Sequence, residues 1–310
     1  MLIICEEEDI FSENNTAVFD QLQKLFIRAA EGQHTLYLSD PEHVLNSDFF
    51  KRGVAPMHRE EWKELVERAA YSLDREDWTI DSETIIEKIH ARLSSTEYET
   101  NNYCRWCILP GEAGDWAEMP LKVLMENRRD WSVIEGAVRV YNNQKIQEAL
   151  YRRWLEPFGC GGKDEILPAI YFESSKARLA VFMDSDKESL SAQIGESQEK
   201  VKNKCNEKKI PCHILYKRAI ENYIPDQVFE ELSQNAERIQ KGKIERWVAL
   251  PEDQKDFDKC RNHFKSRRAK TILPEAVLAM KDSSALTVAD LEDRVGKELF
   301  DMLECLENFL

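Results

Sequence analysis

The stretch Ala177-Arg-Leu-Ala-Val-Phe-Met-Asp-Ser-Asp186 decides the fold. Its apolar run has the length of one strand and delivers two aspartates, Asp184 and Asp186, at the carboxyl end, where α/β sheets place their chemistry. In an extended chain residues i and i+2 point the same way, so both carboxylates would face one point and share a divalent cation that neither would hold alone. A second Asp-x-Asp, Asp256-Phe-Asp258, serves as a control. It comes after the polar Pro251-Glu-Asp-Gln-Lys255, which has helix-start character and no strand before it, and so reads as the solvated end of a helix. The first pair reads either as a metal site or, like the second, as an ordinary product of an acidic chain.

Upstream, Trp131-Ser-Val-Ile-Glu135-Gly136 reads as a short buried strand ending in a carboxylate and a glycine. A helix from Asn143 to Trp154 comes next, with Ile146, Leu150 and Trp154 at helical spacing. Phe158-Gly-Cys-Gly-Gly-Lys163-Asp-Glu-Ile then makes a glycine-rich turn, and the strand bearing Asp184 succeeds it. A strand, helix, turn, strand series builds a parallel sheet flanked by helices, so residues 129–310 are expected to form an α/β domain with acidic residues at two strand ends. Residues 1–128 read as a mostly α-helical scaffold or interaction domain, with amphipathic stretches at Asn15 to Ala30, Arg59 to Leu73 and Asp81 to Leu93. Short strands are expected at Leu2-Ile-Ile-Cys5 and His34-Thr-Leu-Tyr-Leu38.

Composition bounds the function. The 310 residues, 42% hydrophobic, suffice for one large or two ordinary domains. No apolar run is long enough to span a bilayer, and Met1-Leu-Ile-Ile-Cys-Glu-Glu-Glu-Asp9 lacks the basic flank of a signal peptide, so a cytoplasmic address with no membrane partner is expected. The eight cysteines are scattered, which fits reduced thiols, and only Cys104-Arg-Trp-Cys107 has metal-ligand spacing, without a second pair to complete a zinc knuckle. A net charge of −15 opposes simple attraction to nucleic acid. Two basic clusters run against that total: Lys200, Lys202, Lys204, Lys208, Lys209, Lys217 and Arg218, and then Arg261, Lys265, Arg267, Arg268 and Lys270. Each reads as a solvated helix face or as a phosphate track. Near the end, Leu291, Val295, Leu299, Leu303 and Leu306 fall at helical spacing, as core packing or as a surface for a homo-oligomer. Ser283, Ser284 and Thr287 are the candidate caps of that helix.

The order Glu135-Gly136, Gly161-Gly162-Lys163, Asp184-Ser185-Asp186 resembles the Toprim domain shared by topoisomerases, primases and the overcoming-lysogenization-defect nucleases. The later run Arg218-Ala-Ile-Glu221-Asn222-Tyr223 resembles the segment after the aspartate pair in defence-associated members. The resemblance covers residues 131 to about 225. It implies a nuclease that cleaves DNA or RNA with Mg²⁺ or Mn²⁺, with Glu135, Asp184 and Asp186 as metal ligands and Glu221 as a further catalytic carboxylate. Lys163, Lys217 and Arg218 would bind substrate phosphate, joined by Lys265 from the second basic cluster. It also implies a separate ATPase or sensor as partner, since Gly161-Gly162-Lys163 is not a nucleotide phosphate loop. Nuclease members usually carry another acidic residue a few positions after the Glu-Gly, where this chain has Arg139. A degenerate module that binds a protein or nucleic acid without cleaving is therefore the competing reading.

Overall fold

The computed structural model describes residues 2–5, 8–12, 18–38, 40–69, 88–91, 105–108, 113–174, 177–208, 210–264, 272–283 and 286–310. The chain divides into two compact units, Met1–Pro120 with Cys305–Leu310, and Leu121–Glu304. The division falls at Pro120 and not near residue 128, which assigns one more strand to the second unit.

Among its described residues the first unit is mostly helical, as expected, but it holds four strands where the sequence suggested two. Strands β1 (Leu2–Cys5), β2 (Thr35–Leu38), β3 (Lys88–Ala91) and β4 (Arg105–Ile108) form a parallel sheet in the order β2-β1-β3-β4. The helices Phe19–Ala30 and Arg59–Ala69 form within two of the three stretches read as amphipathic. Their buried faces meet in an aromatic cluster in which Phe49 lies 5.4 Å from Phe19 and 5.3 Å from Phe26, ring centre to ring centre. The third stretch, Asp81 to Leu93, holds β3 at residues 88–91, and its other residues lie outside the described ones.

The second unit begins with β5 (Leu121–Met125), succeeded by β6 (Leu155–Gly159), β7 (Arg178–Met183) and β8 (Cys212–Ile214). All are parallel, in the order β6-β5-β7-β8. Every residue of β7 is buried, as a central strand of a parallel sheet covered on both faces requires. The expected α/β sheet flanked by helices is present, but its first strand is not Trp131–Glu135. That segment is the start of a helix, Trp131–Val140, entered through a capping box between Asn127 and Asp130. Trp131, Ile134, Ala137 and Val138 recur at three- and four-residue intervals and are buried together, a period that six residues did not reveal.

Chain direction reverses within this sheet. The chain leaves β5 for β6 on one side, then returns past β5 to β7 and on to β8. Right-handed crossovers therefore put the helices Ile166–Glu173 and Glu196–Lys208 on one face and the β5–β6 connection on the other. Ile166, Ile170, Val201 and Cys205 accordingly share one apolar cluster with Leu124, Val181 and Met183.

Residues expected at the site are committed elsewhere in this packing. Glu135 pairs with Lys281 at 2.9 Å. Arg139 Nε donates to the Lys281 carbonyl at 3.0 Å and its Nη2 to the Ser283 carbonyl, so it caps the C-terminus of the helix Ile272–Asp282. Gly136 is the point of closest approach: a Cβ there would stand 2.5 Å from the Met280 carbonyl oxygen. The Glu-Gly pair is a helix-packing element. Near the chain end, Thr287 caps the helix Val288–Val295, and Gly296, with φ of 62°, separates it from Glu298–Phe309. Leu291, Leu299, Leu303 and Leu306 are buried, in agreement with the core reading of that stripe. Among the described residues no helix is long and apolar enough to cross a membrane.

Two glycines give a test of opposite sign. Replacing an open helix-interior glycine by alanine stabilises by up to about 1 kcal/mol, and Gly242, in the helix Arg238–Val248, has nothing within 4 Å of an added Cβ. Gly242→Ala is expected to raise the denaturation midpoint. Gly136→Ala is expected to lower it, by about 1–3 kcal/mol, because backbone must shift. Urea titration of both variants checks this, and a stabilising Gly136→Ala would disprove the packing.

Candidate functional site

β5 runs out at Met125 and β7 at Met183, and the next residues are Glu126 and Asp184. The two strands are adjacent and paired from Leu121 opposite Arg178 to Leu124 opposite Val181, so Glu126 and Asp184 leave the sheet one residue apart in register and line a common cavity. This is the place where the chain reverses direction, and open α/β sheets leave a crevice there between connections that diverge to opposite faces.

The glycine-rich turn after β6 closes over the end of β5. Cys160 N donates to the Met125 carbonyl at 2.8 Å, and Gly161 N and Gly162 N both donate to the Glu126 carbonyl, at 2.9 and 3.0 Å. Gly161 and Gly162 have φ of 94° and 142°, in the region that favours glycine, while a Cβ on Gly159 would collide with Arg128 N. The turn delivers Lys163, whose Nζ lies 2.8 Å from Asp186 Oδ2.

Past Met183 the backbone bends. Ser185 is buried and its Oγ donates to the Lys217 carbonyl at 2.7 Å, while Asp186 N donates to the Arg218 carbonyl at 2.9 Å. Asp186 has φ of 55°, so the alternation that would have aimed Asp184 and Asp186 at one point is lost after the strand. Asp184 Oδ1 accepts from Ile220 N at 2.9 Å, whereas Asp186 Oδ2 accepts from Lys163 and from Gln198 Nε2 at 3.2 Å.

Glu126, Asp130 and Asp184 meet at a cavity of about 10 Å³, the size of one water, whose walls are otherwise apolar, formed by Met125, Ile134, Phe182, Leu215 and Ile220 among others. Burial, then Glu126, Glu221 and Asp130, raises Asp184 well above the usual carboxylate range. Burial, then Asp186 and Asp130, pushes Glu126 up to about 7, with Lys163 opposing. Burial and then Glu221 push Asp130 up to about 6, and burial raises Glu221. Burial would raise Asp186 as well, but Lys163, Gln198 and Arg218 outweigh it and hold that carboxyl low.

Of the residues expected at the site, Asp184, Asp186, Glu221 and Lys163 belong to this cluster. Glu135 does not; the glutamate at the end of the strand beside β7 is Glu126, with Asp130 four residues on. The signal was the apolar run Leu121-Lys-Val-Leu-Met125 ahead of Glu126, with Asn127 and Asp130 at capping-box spacing. Lys217 is buried rather than open to phosphate: its Nζ lies 2.6 Å from Asp256 Oδ1 and also donates to the Arg294 carbonyl. Arg218 is buried too, with Nη1 on the Lys187 and Phe257 carbonyls at 3.1 and 3.2 Å and Nη2 3.7 Å from Glu188. Both act as braces for the loop that carries Asp186. Lys265 and Cys104 lie outside the described residues.

The donors suit a hard cation in kind. Glu126 Oε1 is buried without a hydrogen-bond partner, and an oxygen set of this charge is what Mg²⁺ takes. As the side chains stand, however, no three His, Cys, Asp or Glu residues among those described are grouped to hold a metal. No protein-family model, curated protein or solved structure matches the chain significantly.

The raised carboxyls give a pH signature. A carboxyl whose folded pKa exceeds its unfolded one costs the fold stability as it ionises, from the ordinary range near 4.5 up to about 7 for Glu126. In EDTA, the Tm advantage of Glu126→Gln over wild type is expected to be small at pH 4.5, to grow through pH 7 and then to level off. An advantage that does not change with pH would remove the basis for the repulsion.

Proposed function

We propose that this crevice is a metal-assisted phosphodiester-cleaving site of the Toprim kind, acting on nucleic acid. The observation that carries the reading is the emergence of Glu126 and Asp184 from paired strands at the reversal of the sheet. Asp130, a few positions past Glu126, adds to it, as nuclease members of that family carry an additional acid a few positions on, although Asn127 stands here where the family has glycine.

Glu126 and Asp184 would hold the cation, with Asp186 joining once Lys163 is displaced from it. Mg²⁺ commonly binds through one or two carboxylates and keeps several waters, so a cage of three side chains is not required. A bound Mg²⁺ or Mn²⁺ would supply Lewis-acid polarisation of the phosphoryl oxygen and a more acidic water. Lys163, released from Asp186, would then lie within reach of phosphate charge. Asp130, which burial pushes up to about 6, would be able to hold or pass a proton, and Glu221, also raised by burial, would be a second candidate. A separate ATPase or sensor as controlling partner rests on the same resemblance.

A second reading, a module that binds nucleic acid or a protein without cleaving, is favoured by the Lys163–Asp186 ion pair and by the lack of a three-ligand group among the described residues. The test is cleavage of plasmid DNA and total RNA with Mg²⁺ or Mn²⁺, with calorimetric titration of each metal alongside. Glu126→Gln and Asp184→Asn are expected to lower the rate on the order of 100-fold or more, and Glu135→Gln is expected to leave it unchanged. Activity that depends on Glu135 and not on Glu126 would show the wrong carboxylate had been chosen. Wild type that neither binds metal nor cleaves would leave the binding module.

A further inference from the structure

The helices Ile166–Glu173 and Glu196–Lys208 lie on one face of the second sheet, and each starts beside the carboxylate crevice. Lys163 precedes the first and reaches Asp186, and Gln198 in the first turn of the second reaches the same carboxylate. Farther along, the first helix turns Ile166 and Ile170 inward and leaves Tyr171 and Phe172 outside, at 57% and 66% exposure. Isolated exposed rings are ordinary on protein surfaces, but these two are consecutive and flanked by lysines. Lys204 Nζ lies 4.8 Å and Lys208 Nζ 5.9 Å from the centre of the Tyr171 ring. Lys200 and Lys202, on the same helix, are exposed.

We propose that this surface binds single-stranded nucleic acid, with bases stacked on Tyr171 and Phe172 and phosphates on the lysines. The inference deepens the proposed function by naming a single strand as the substrate form, and in that respect it rests on that reading. Stacking needs an open aromatic face, and every base offers a matching one, while neighbouring ammonium groups take the backbone charge. A partner protein of purely apolar character would gain nothing from ammonium groups set against the ring. Lys200 pairs with Glu196 at 2.6 Å, an exposed pair weak enough for a polyanion to displace, whereas the half-buried Lys204 holds both carboxylate oxygens of Glu207, at 2.6 and 2.7 Å. The net charge of −15 sets the total field and not the local one. Eight residues separate Lys163 from Tyr171, about 12 Å along a helix, so a strand of a few nucleotides would reach from the rings to the crevice.

The test is fluorescence anisotropy in EDTA with a labelled 20-mer of oligo-dT, the same length of oligo-U, and a hairpin duplex. Wild type is expected to bind both single strands more tightly than the duplex. Tyr171→Ala/Phe172→Ala should weaken single-strand binding about tenfold or more. Lys204→Glu/Lys208→Glu should weaken it and flatten its salt dependence, since each phosphate contact contributes roughly 0.7 to the log–log slope. Glu135→Gln, away from both the crevice and the rings, should bind as wild type does. Tyr171 and Phe172 are exposed whereas Lys204 and Lys208 are half-buried, so an unchanged thermal melt is expected of the aromatic variant, and melts of both variants separate a binding defect from misfolding. Wild-type affinity in the aromatic variant, or preference for the duplex, would overturn the proposal. So would an aromatic variant that changes only self-association in sedimentation, which would assign the rings to a second copy of the chain. Cleavage without this binding would leave the proposed chemistry standing and remove the surface. Binding without cleavage would do the reverse.

Discussion

Because β5 and β7 pair in parallel, with Leu121 opposite Arg178 and Leu124 opposite Val181, two strands far apart in the chain end within one residue of each other in register, and Glu126 and Asp184 line the same small cavity. The rest of the second unit depends on that ladder. A shift of one residue would turn every side chain of the buried β7 to the opposite face, so the apolar packing that fixes the strand also fixes the carboxylates. The reversal of chain direction at the same place sends the adjoining connections to opposite faces and leaves the strand ends uncovered.

Crowding acid in a half-buried crevice is unfavourable, and the surrounding residues limit the cost without removing it. Lys163, brought in by a turn that only glycine accommodates, neutralises Asp186. Ile220 N donates to Asp184, and Gln198 to Asp186. Lys163 acts on Glu126 and Arg261 on Glu221, yet Glu126, Asp130, Asp184 and Glu221 each have their proton affinity raised, burial being the largest cause. Buried carboxyls compensated only in part are the kind that a cation or a proton relieves.

The basic residues near this loop do the holding. Lys217 and Arg294 meet on Asp256 at 2.6 Å each, and Lys255, 2% exposed, sits between Asp226 at 2.5 Å and Glu252 at 3.0 Å. Tyr223 donates to Glu298, which also accepts from Tyr216 N at 2.8 Å and lies 2.9 Å from His213 Nε2. Loss of one partner from a buried pair leaves the other charge stranded, so these residues keep rigid the segment whose carbonyls position Ser185 and Asp186. The second Asp-x-Asp is more than a solvated helix end, because its Asp256 belongs to this network.

The sequence by itself determined the buried strand ending at Asp184, the glycine-rich turn with Lys163 at its end, and the α/β character of the second unit. Those features are local, since a continuous apolar run and a glycine cluster report their environment within a few residues. Only the tertiary structure decided which glutamate joins the aspartates. Glu126 and Glu135 each come after an apolar run too short to show whether its period is two or nearly four. The difference lies in partners more than fifty residues away, β7 beside Leu121–Met125 and the helix Ile272–Asp282 against Gly136. Likewise, nothing in the composition separates Lys163, which reaches a carboxylate of the crevice, from Lys217, which is buried under it. Charge can be read from residue type, whereas access to solvent and substrate is a property of packing.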